Sequence, residues 1–525
     1  MVPSASSWLR YTLLVLVIGV LCIYWGLNVK PIYKTQELRV AETARVMAAD
    51  GDWLIPRYNG EVRLRKPPLA YWLTASSYQA FGKVTEFTAR FASATFSLLG
   101  VLALFFWLRK ASGTATALAT IICFVSSYMA LRYFRSAETD AILLFFVITA
   151  CIVVYQLLFE GVSTSRVIAL HVLMGLGFLT KGPAALAMPL AVLLFFTLRR
   201  RQYALLRKLV NPLGLLLLLL LALGWYAAIY FKLHDVATHW VSEEVDATYL
   251  GGHRANPVYW YVPGLFKFFA PWSVFFIPAG IWLYRTRPLP PVVQLALVWF
   301  AATFIILSLN VTKQIQYALL LSPSIAVLLG HYLANARGRY ERLNNILYAG
   351  LILGAIGAAI WLAVKGEEGG AGAQEVLALV IGALVPVMAA ALLRVNLRRH
   401  APALLLVGLI ASLWVYGQER VYADSTESNV KHFALAVKSY EPLYVYGGAN
   451  ARISFYVQRV VPNAKDAPAL ERLTAPHEAF YLATESESDV PRTCRNAAPV
   501  MRDGQYVLLK CRLGNKNLAE TGEIK

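Results

Sequence analysis

Along most of the chain, apolar residues do not alternate with polar ones; they run in blocks of roughly 17 to 25, the length that crosses a bilayer as a helix. A helix satisfies its own backbone hydrogen bonds in lipid, so each block predicts a span, and about thirteen qualify. They are Tyr11 to Val29, Phe91 to Leu108, Ala115 to Leu131, Ala141 to Phe159, Val167 to Leu179, Ala184 to Leu198, Leu213 to Phe231, Phe266 to Tyr284, Val292 to Leu309, Tyr317 to Ala334, Ile346 to Val364, Val376 to Leu393 and Ala401 to Tyr416. The blocks at Val167 and Ala184 are short, and a re-entrant pair is the alternative there. No small-residue cleavage site follows the first block, which predicts an uncleaved helix.

Two stretches break the pattern. Lys30 to Arg90 is a polar loop in which Leu38, Ala41, Ala44 and Val46 fall along one helical face, predicting a helix lying in the membrane interface. From about Gln418 polar residues rise, and short β-type runs appear at Leu443 to Tyr446, Ala479 to Ala483 and Tyr506 to Leu509. The expected organisation is a membrane domain over 1–417, including the loop 30–90, and a small α/β domain over 418–525. Cys494 and Cys511 lie in the latter, either as a disulfide or as two separate thiols.

Composition agrees: 58% of the 525 residues are hydrophobic and 15% charged, so most of the chain is solvated by lipid. The net charge of +19 is partly topological and points to membrane lipids, not nucleic acid, as partners. Arg109 and Lys110, Arg199 to Arg201, Arg285 and Arg287, Arg337 to Arg342 and Arg394 to Arg399 recur at every second loop. Short cytoplasmic loops retain such residues, so the N-terminus is expected in the cytoplasm, with the loop 30–90 and everything after Gly417 outside. Yet that first outer loop holds Arg39, Arg45, Arg57, Arg63, Arg65 and Lys66. An anionic lipid phosphate held there supplies a reason.

The candidate chemistry sits in this loop and at span ends. Glu37 can be a partner for a helix dipole, and Arg39 with Glu42 a structural ion pair. Asp140 can be a helix cap and Lys181 a snorkelling lysine. Against those readings stands the company of Gly51-Asp52-Trp53, Pro56, the turn Asn59-Gly60 and Lys66-Pro67-Pro68-Leu69 followed by Tyr71-Trp72. No metal-ligand spacing, phosphate loop or dinucleotide fingerprint occurs.

The pattern E-x-R-x-x-E-x-x-R-x-M from Glu37, then GDW, P-R-x-N-G and KPPL-x-Y-W, resembles the dolichyl- and polyprenyl-phosphate-dependent glycosyltransferases of the protein O-mannosyltransferase superfamily. Within it the likeness is to the bacterial branch containing the 4-amino-4-deoxy-L-arabinose transferase of lipid A. Thr139-Asp140, Lys181-Gly182-Pro183, Pro271-Trp272 and the segment around Lys313 with Tyr317 and Pro323 extend it from about Pro31 to His331. The resemblance implies an α-helical polytopic membrane protein of GT-C type with a small C-terminal α/β periplasmic domain. It implies a bacterial inner-membrane transferase that takes a sugar from undecaprenyl phosphate and needs no cofactor, with lipid A the first acceptor and other envelope glycans or proteins behind it. Glu37 and Asp140 become the catalytic carboxylates. Arg39, Lys66, Lys181 and Arg254 become the cations on the lipid phosphate, with no metal assigned.

Two departures from the family matter. Its usual Asp-Glu pair is Gln36-Glu37 here, and a carboxamide cannot act as a base, so Glu37 or Asp140 must supply the carboxylate. Arg65 stands where the arabinose-transferase pattern has Glu, which favours a different sugar or acceptor and offers a cation to an anionic acceptor group. A lipid-linked sugar flippase and a non-catalytic partner of another transferase are the alternatives. A flippase expects charges near the bilayer midplane, whereas these blocks are largely free of them.

Overall fold

The computed structural model describes residues 5–233, 256–310, 313–367, 373–395, 397–423, 426–447, 450–485, 490, 494, 497, 499–503 and 506–512. The chain divides into two compact units. A helical unit comprises Met1–Val29, Leu64–Leu73 and Arg90–Gln418, and a mixed unit comprises Lys30–Arg63, Thr74–Ala89 and Glu419–Lys525. In chain order the first helices are α1 (Ala5–Gly19), α2 (Thr35–Asp50), α3 (Leu69–Phe81), α4 (Glu86–Ser112), α5 (Thr114–Val125), α6 (Tyr128–Tyr133), α7 (Thr139–Phe159), α8 (Thr164–Lys181), α9 (Ala184–Arg200), α10 (Tyr203–Leu209) and α11 (Pro212–Lys232).

In the helical unit the apolar blocks named from the sequence are mostly helical, but Ala115 to Leu131 breaks between α5 and α6, Phe266 to Tyr284 is bent, and the first block leaves its helix after Tyr24. Among the described residues seven helices are long and apolar enough to cross a membrane, and a bent pair makes an eighth. That pair, Val258–Phe268 and Trp272–Arg285, turns by 106° at its break, where Pro271 has no N–H to continue the ladder. The indole of Trp272 donates to Ser126 Oγ at 2.9 Å, fixing the break against the end of α5. The short blocks become α8 and α9, of 18 and 17 residues. Close packing fixes other neighbours: a Cβ on Gly330, in the helix Ser322–Asn335, would lie 2.1 Å from Thr120 Oγ1, so only glycine lets this helix approach α5. Two buried arginines hold the broken end of the first span, Arg90 donating to Leu27 O at 2.6 Å and Arg135 to Cys22 O at 3.3 Å.

In the mixed unit α2 differs from its expected setting. Leu38, Ala41, Ala44 and Val46 are buried as their spacing predicts, but so are Glu37, Glu42, Thr43 and Arg45. The helix is therefore enclosed and does not lie on a surface. Its charged face tolerates this because Arg45 makes two bonds of 2.7 Å to Glu42, and Tyr78 donates to Ala41 O at 3.1 Å. Gly51, at φ 71°, ends α2 by donating to Met47 O, and Asp52 Oδ1 then accepts from the amides of Leu54 and Ile55.

The Asn59-Gly60 turn forms as its sequence predicts. β1 (Arg57–Tyr58) pairs antiparallel with β2 (Glu61–Val62), and Asn59 and Gly60 sit at φ 52° and 87°, the signs a type I′ hairpin requires. The C-terminal strands β3 (Leu443–Tyr446), β4 (Asn463–Ala464), β5 (Ala479–Thr484), β6 (Pro499–Asp503) and β7 (Tyr506–Arg512) build one mixed sheet in the order β4-β3-β5-β7-β6. β3 runs parallel to β4 and β5, with helices Asn450–Val457 and Ala467–Thr474 in the crossovers, while β7 is antiparallel to β5 and β6. Cys494 and Cys511 form a disulfide inside a core that includes Phe480, Leu482 and Leu509.

Candidate active site

The helical unit brings two of the sequence candidates into contact across 41 residues of chain: Lys181 Nζ donates to Asp140 Oδ1 in a buried ion pair. Local sequence explains the meeting. Thr139-Asp140 opens α7, and Lys181-Gly182-Pro183 closes α8, with Gly182 at φ 82° donating back to Phe178 O. α7 and α8 pack together, so an acidic side chain at a helix N-terminus faces a basic one at a helix C-terminus, each favoured by its own helix dipole. Asp140 makes no capping bond; the N-cap position belongs to Glu138, whose carboxylate accepts from Ser136 Oγ at 2.9 Å. Nor does Lys181 snorkel, since only 13% of its side chain is exposed.

Aromatic groups complete this end of the bundle. Lys181 Nζ lies 4.6 Å from the centre of the Tyr317 ring, a cation–π contact strengthened by burial. Tyr261 donates to Gln314 O at 3.1 Å, and Lys313 Nζ binds the carbonyls of Asn256 (3.0 Å) and Asn310 (2.7 Å). Lys313 thus braces the turn that carries Tyr317. Lys66 belongs to the same unit. Leu69 and Ala70, just after it, pack with Ile142 and Phe146 of α7 and with Leu173 and Leu176 of α8, which brings the Lys66-Pro67-Pro68 segment alongside the helices of the ion pair.

Glu37 and Arg39 belong to the mixed unit. Glu37 is wholly buried in the first turn of α2, with the half-buried Gln36 before it. The expected alternative for Arg39, an ion pair with Glu42, does not describe Glu42, whose carboxylate takes both its bonds from Arg45. Burial pushes the Glu42 carboxyl's pKa up, against the pull of Arg45. Arg254 lies outside the described residues. Tyr261 was not among the sequence candidates; the signal for it is the aromatic run Tyr259-Trp260-Tyr261.

Comparison with known proteins agrees with this architecture. Residues 65–226 match the family described as dolichyl-phosphate-mannose-protein mannosyltransferase. The crystal structure of ArnT from Cupriavidus metallidurans bound to undecaprenyl phosphate superposes with a TM-score of 0.76, covering 99% of this chain and 100% of that one at 21% identity. The fold is thus that of the GT-C membrane glycosyltransferases, and the expected architecture is borne out: a helical polytopic fold with a small C-terminal sheet. More particularly, the chain is similar to proteins named undecaprenyl phosphate-alpha-4-amino-4-deoxy-L-arabinose arabinosyl transferase. The one from Aeromonas salmonicida is 29% identical over 65% of this chain, and the one from Shewanella sediminis 27% over 59%. These matches take in 65% and 57% of the relatives' own lengths, less than two thirds in each case.

Proposed function

We propose that the protein transfers a sugar from undecaprenyl phosphate to an acceptor hydroxyl on the periplasmic side of the membrane, with lipid A as the first acceptor. The observation that carries this reading is the Asp140–Lys181–Tyr317 constellation at the joined ends of α7 and α8. In the reaction the acceptor oxygen forms a bond to the anomeric carbon, the bond from that carbon to the phosphate oxygen breaks, and the hydroxyl proton passes to a carboxylate. Negative charge grows on the departing phosphate, where fixed cations in a site poor in water lower the barrier. Lys66 and Lys181 take that part, joined by Arg39 and Arg254. Asp140 and Glu37 are the acid/base candidates. The ion pair gives Asp140 a further task, holding the Lys181 ammonium in place until a phosphate oxygen competes for it.

The direct test supplies purified protein with undecaprenyl-phosphate-linked aminoarabinose and lipid A and reads the lipid product by mass spectrometry. A product heavier by one sugar residue is expected. No product with this donor or with other polyprenyl-phosphate sugars sinks the reading and leaves the non-catalytic partner in the lead. Envelope lipids from cells with and without the protein then report the natural sugar and acceptor.

The sidedness follows from the basic loops and receives support from the Cys494–Cys511 disulfide, which suits an oxidising compartment. Cysteines introduced singly at Glu61 and Glu471, both exposed, should react with an impermeant thiol reagent in intact spheroplasts. The native Cys22, Cys123 and Cys151 are buried and give a low background. Labelling at one site only would break the proposed topology.

A further inference from the structure

The turn carrying Tyr317 leads into the helix Ser322–Asn335, and a polar cleft opens at that helix's far end, about 21 Å along its 14 residues. Arg337, Glu341, Asn344, Asn345, Tyr348 and His400 line this cleft of about 60 Å³. At roughly 10 to 15 Å³ for each water, it admits about four waters or one group the size of a phosphate. The transfer reaction uses none of these residues.

Their polar groups are not used up within the protein. Asn344 is only 5% exposed, and its Oδ1 accepts from the Tyr332 hydroxyl at 2.7 Å, which leaves its amide N–H groups, without an acceptor among the described residues, for the cleft. Arg337 donates through one Nη to Ala334 O at 3.4 Å and Ala336 O at 2.9 Å, and its other N–H groups remain. Glu341, in the first turn of the helix Arg339–Glu367, forms no ion pair among the described residues. A guanidinium and an amide donate to phosphate oxygens, whereas a carboxylate accepts from an ammonium. The cleft thus suits a head that carries both charges.

Two of the helices that wall the cleft also wall an apolar groove of about 300 Å³. On the helix Arg339–Glu367 the groove begins at Ile356, about 12 Å beyond Tyr348, and on the helix Leu397–Ala423 it begins at Leu409, about 9 Å beyond Ala403. Both helices start at the cleft, so the groove leads away from it in one direction. Val380 and Leu384 of the helix Ala373–Leu392 form its third wall, and the hydroxyl of Ser412 in it donates to Gly408 O at 2.8 Å. A charged head joined to an acyl chain fits this layout. A soluble ion would leave the groove empty.

We propose that the cleft and groove bind an aminophospholipid, phosphatidylethanolamine in chemistry, with its phosphate on Arg337 and Asn344, its ammonium at Glu341 and an acyl chain along Ile356, Leu384 and Leu409. Glu341 selects against a head that is only anionic. The site lies in the leaflet of the basic loops, at the other end of the helix Ser322–Asn335 from the Tyr317 turn. The inference takes only the membrane setting from the proposed function.

The test uses full-length protein purified in detergent and washed free of lipid, then mixed with phosphatidylethanolamine or phosphatidylglycerol of the same acyl chains. Native mass spectrometry counts the lipid retained. The parent should favour phosphatidylethanolamine by about 2- to 5-fold, the range of an exposed ion pair. Glu341→Gln should abolish that preference without weakening phosphatidylglycerol, whereas Arg337→Gln should lower retention of both lipids. Ala359→Phe, which fills the groove, should lower both and leave their ratio unchanged. Glu341 and Arg337 are exposed and Ala359 partly so, and thermal midpoints close to the parent's would confirm the fold. Should Arg337→Gln unfold, the ratio in Glu341→Gln still decides. Equal retention by the parent, or a preference that survives Glu341→Gln, overturns the proposal, as does undiminished retention in Ala359→Phe. A parent that shows the preference but transfers no sugar would refute the transferase reading alone.

Discussion

Asp140→Asn is expected to lower sugar transfer by about 10² to 10⁴, the usual cost of removing a general base, while the donor lipid still binds. Lys181→Met should do the reverse and weaken donor binding first. Because the two side chains form one buried pair, neither variant is clean alone: each leaves the other's polar group without its partner. The double variant Asp140→Asn/Lys181→Met separates the effects. If the pair works as a unit, its loss falls short of the product of the single losses, as interacting residues do. Should Asp140→Asn and Lys181→Met both weaken donor binding and leave turnover of bound donor unchanged, Asp140 is a positioning residue for the ammonium and Glu37 inherits the base. Glu37→Gln then carries the turnover loss. If Asp140→Asn and Glu37→Gln both transfer at the parental rate, the acid/base assignment is wrong. Gln36→Asp, which restores the usual family side chain beside Glu37, is expected to be tolerated or mildly activating.

The helices were legible because lipid forces the choice: an apolar block too long for a loop has no other way to satisfy its backbone. Asn59-Gly60 was legible because few residues accept positive φ at both turn positions. β3, β5 and β7 were seen as apolar runs, whereas β4 has two residues and β6 opens on Pro499 with a register shift before Met501, so neither left a pattern. The Asp140–Lys181 contact was hidden for a different reason. Each residue was visible at its helix end, but their meeting depends on how α7 packs on α8, which no local spacing records. Around Glu42 the spacing itself was ambiguous, since Arg39 stands three residues before it and Arg45 three after. Both separations put side chains on neighbouring helix positions. The structure joins Glu42 to Arg45, and the enclosure of α2, with its charged face inside, followed from a pairing that the sequence allowed two ways.

That pairing leads to the second large effect. Arg45→Met should destabilise the protein by about 3 to 5 kcal/mol at neutral pH, because it leaves the Glu42 carboxylate buried and uncompensated. Glu42 has no exposed surface and Arg45 only 4%. The pH dependence has a definite sign. Burial raises the folded-state pKa of Glu42, so between the ordinary carboxylate value and that raised value the folded chain binds a proton that the unfolded chain has lost. Stability therefore falls as pH rises through that window, and the cost is fully present above it. In Arg45→Met the opposing pull of the guanidinium is gone, so the window extends upward and acid should rescue the variant. Its thermal midpoint in detergent should lie well below the parent's at pH 8 and approach it at pH 5. Glu42→Leu/Arg45→Met, which removes both charges, should recover most of the loss at either pH, since an apolar pair can replace a buried ion pair at little cost. A single variant that melts with the parent at pH 8 would show that the pair contributes nothing. The result bears on catalysis because α2 also carries Gln36, Glu37 and Arg39. If the ion pair holds that helix in place, Arg45→Met should lose transfer activity at pH 8 more steeply than its folded fraction falls, and the double variant should recover both.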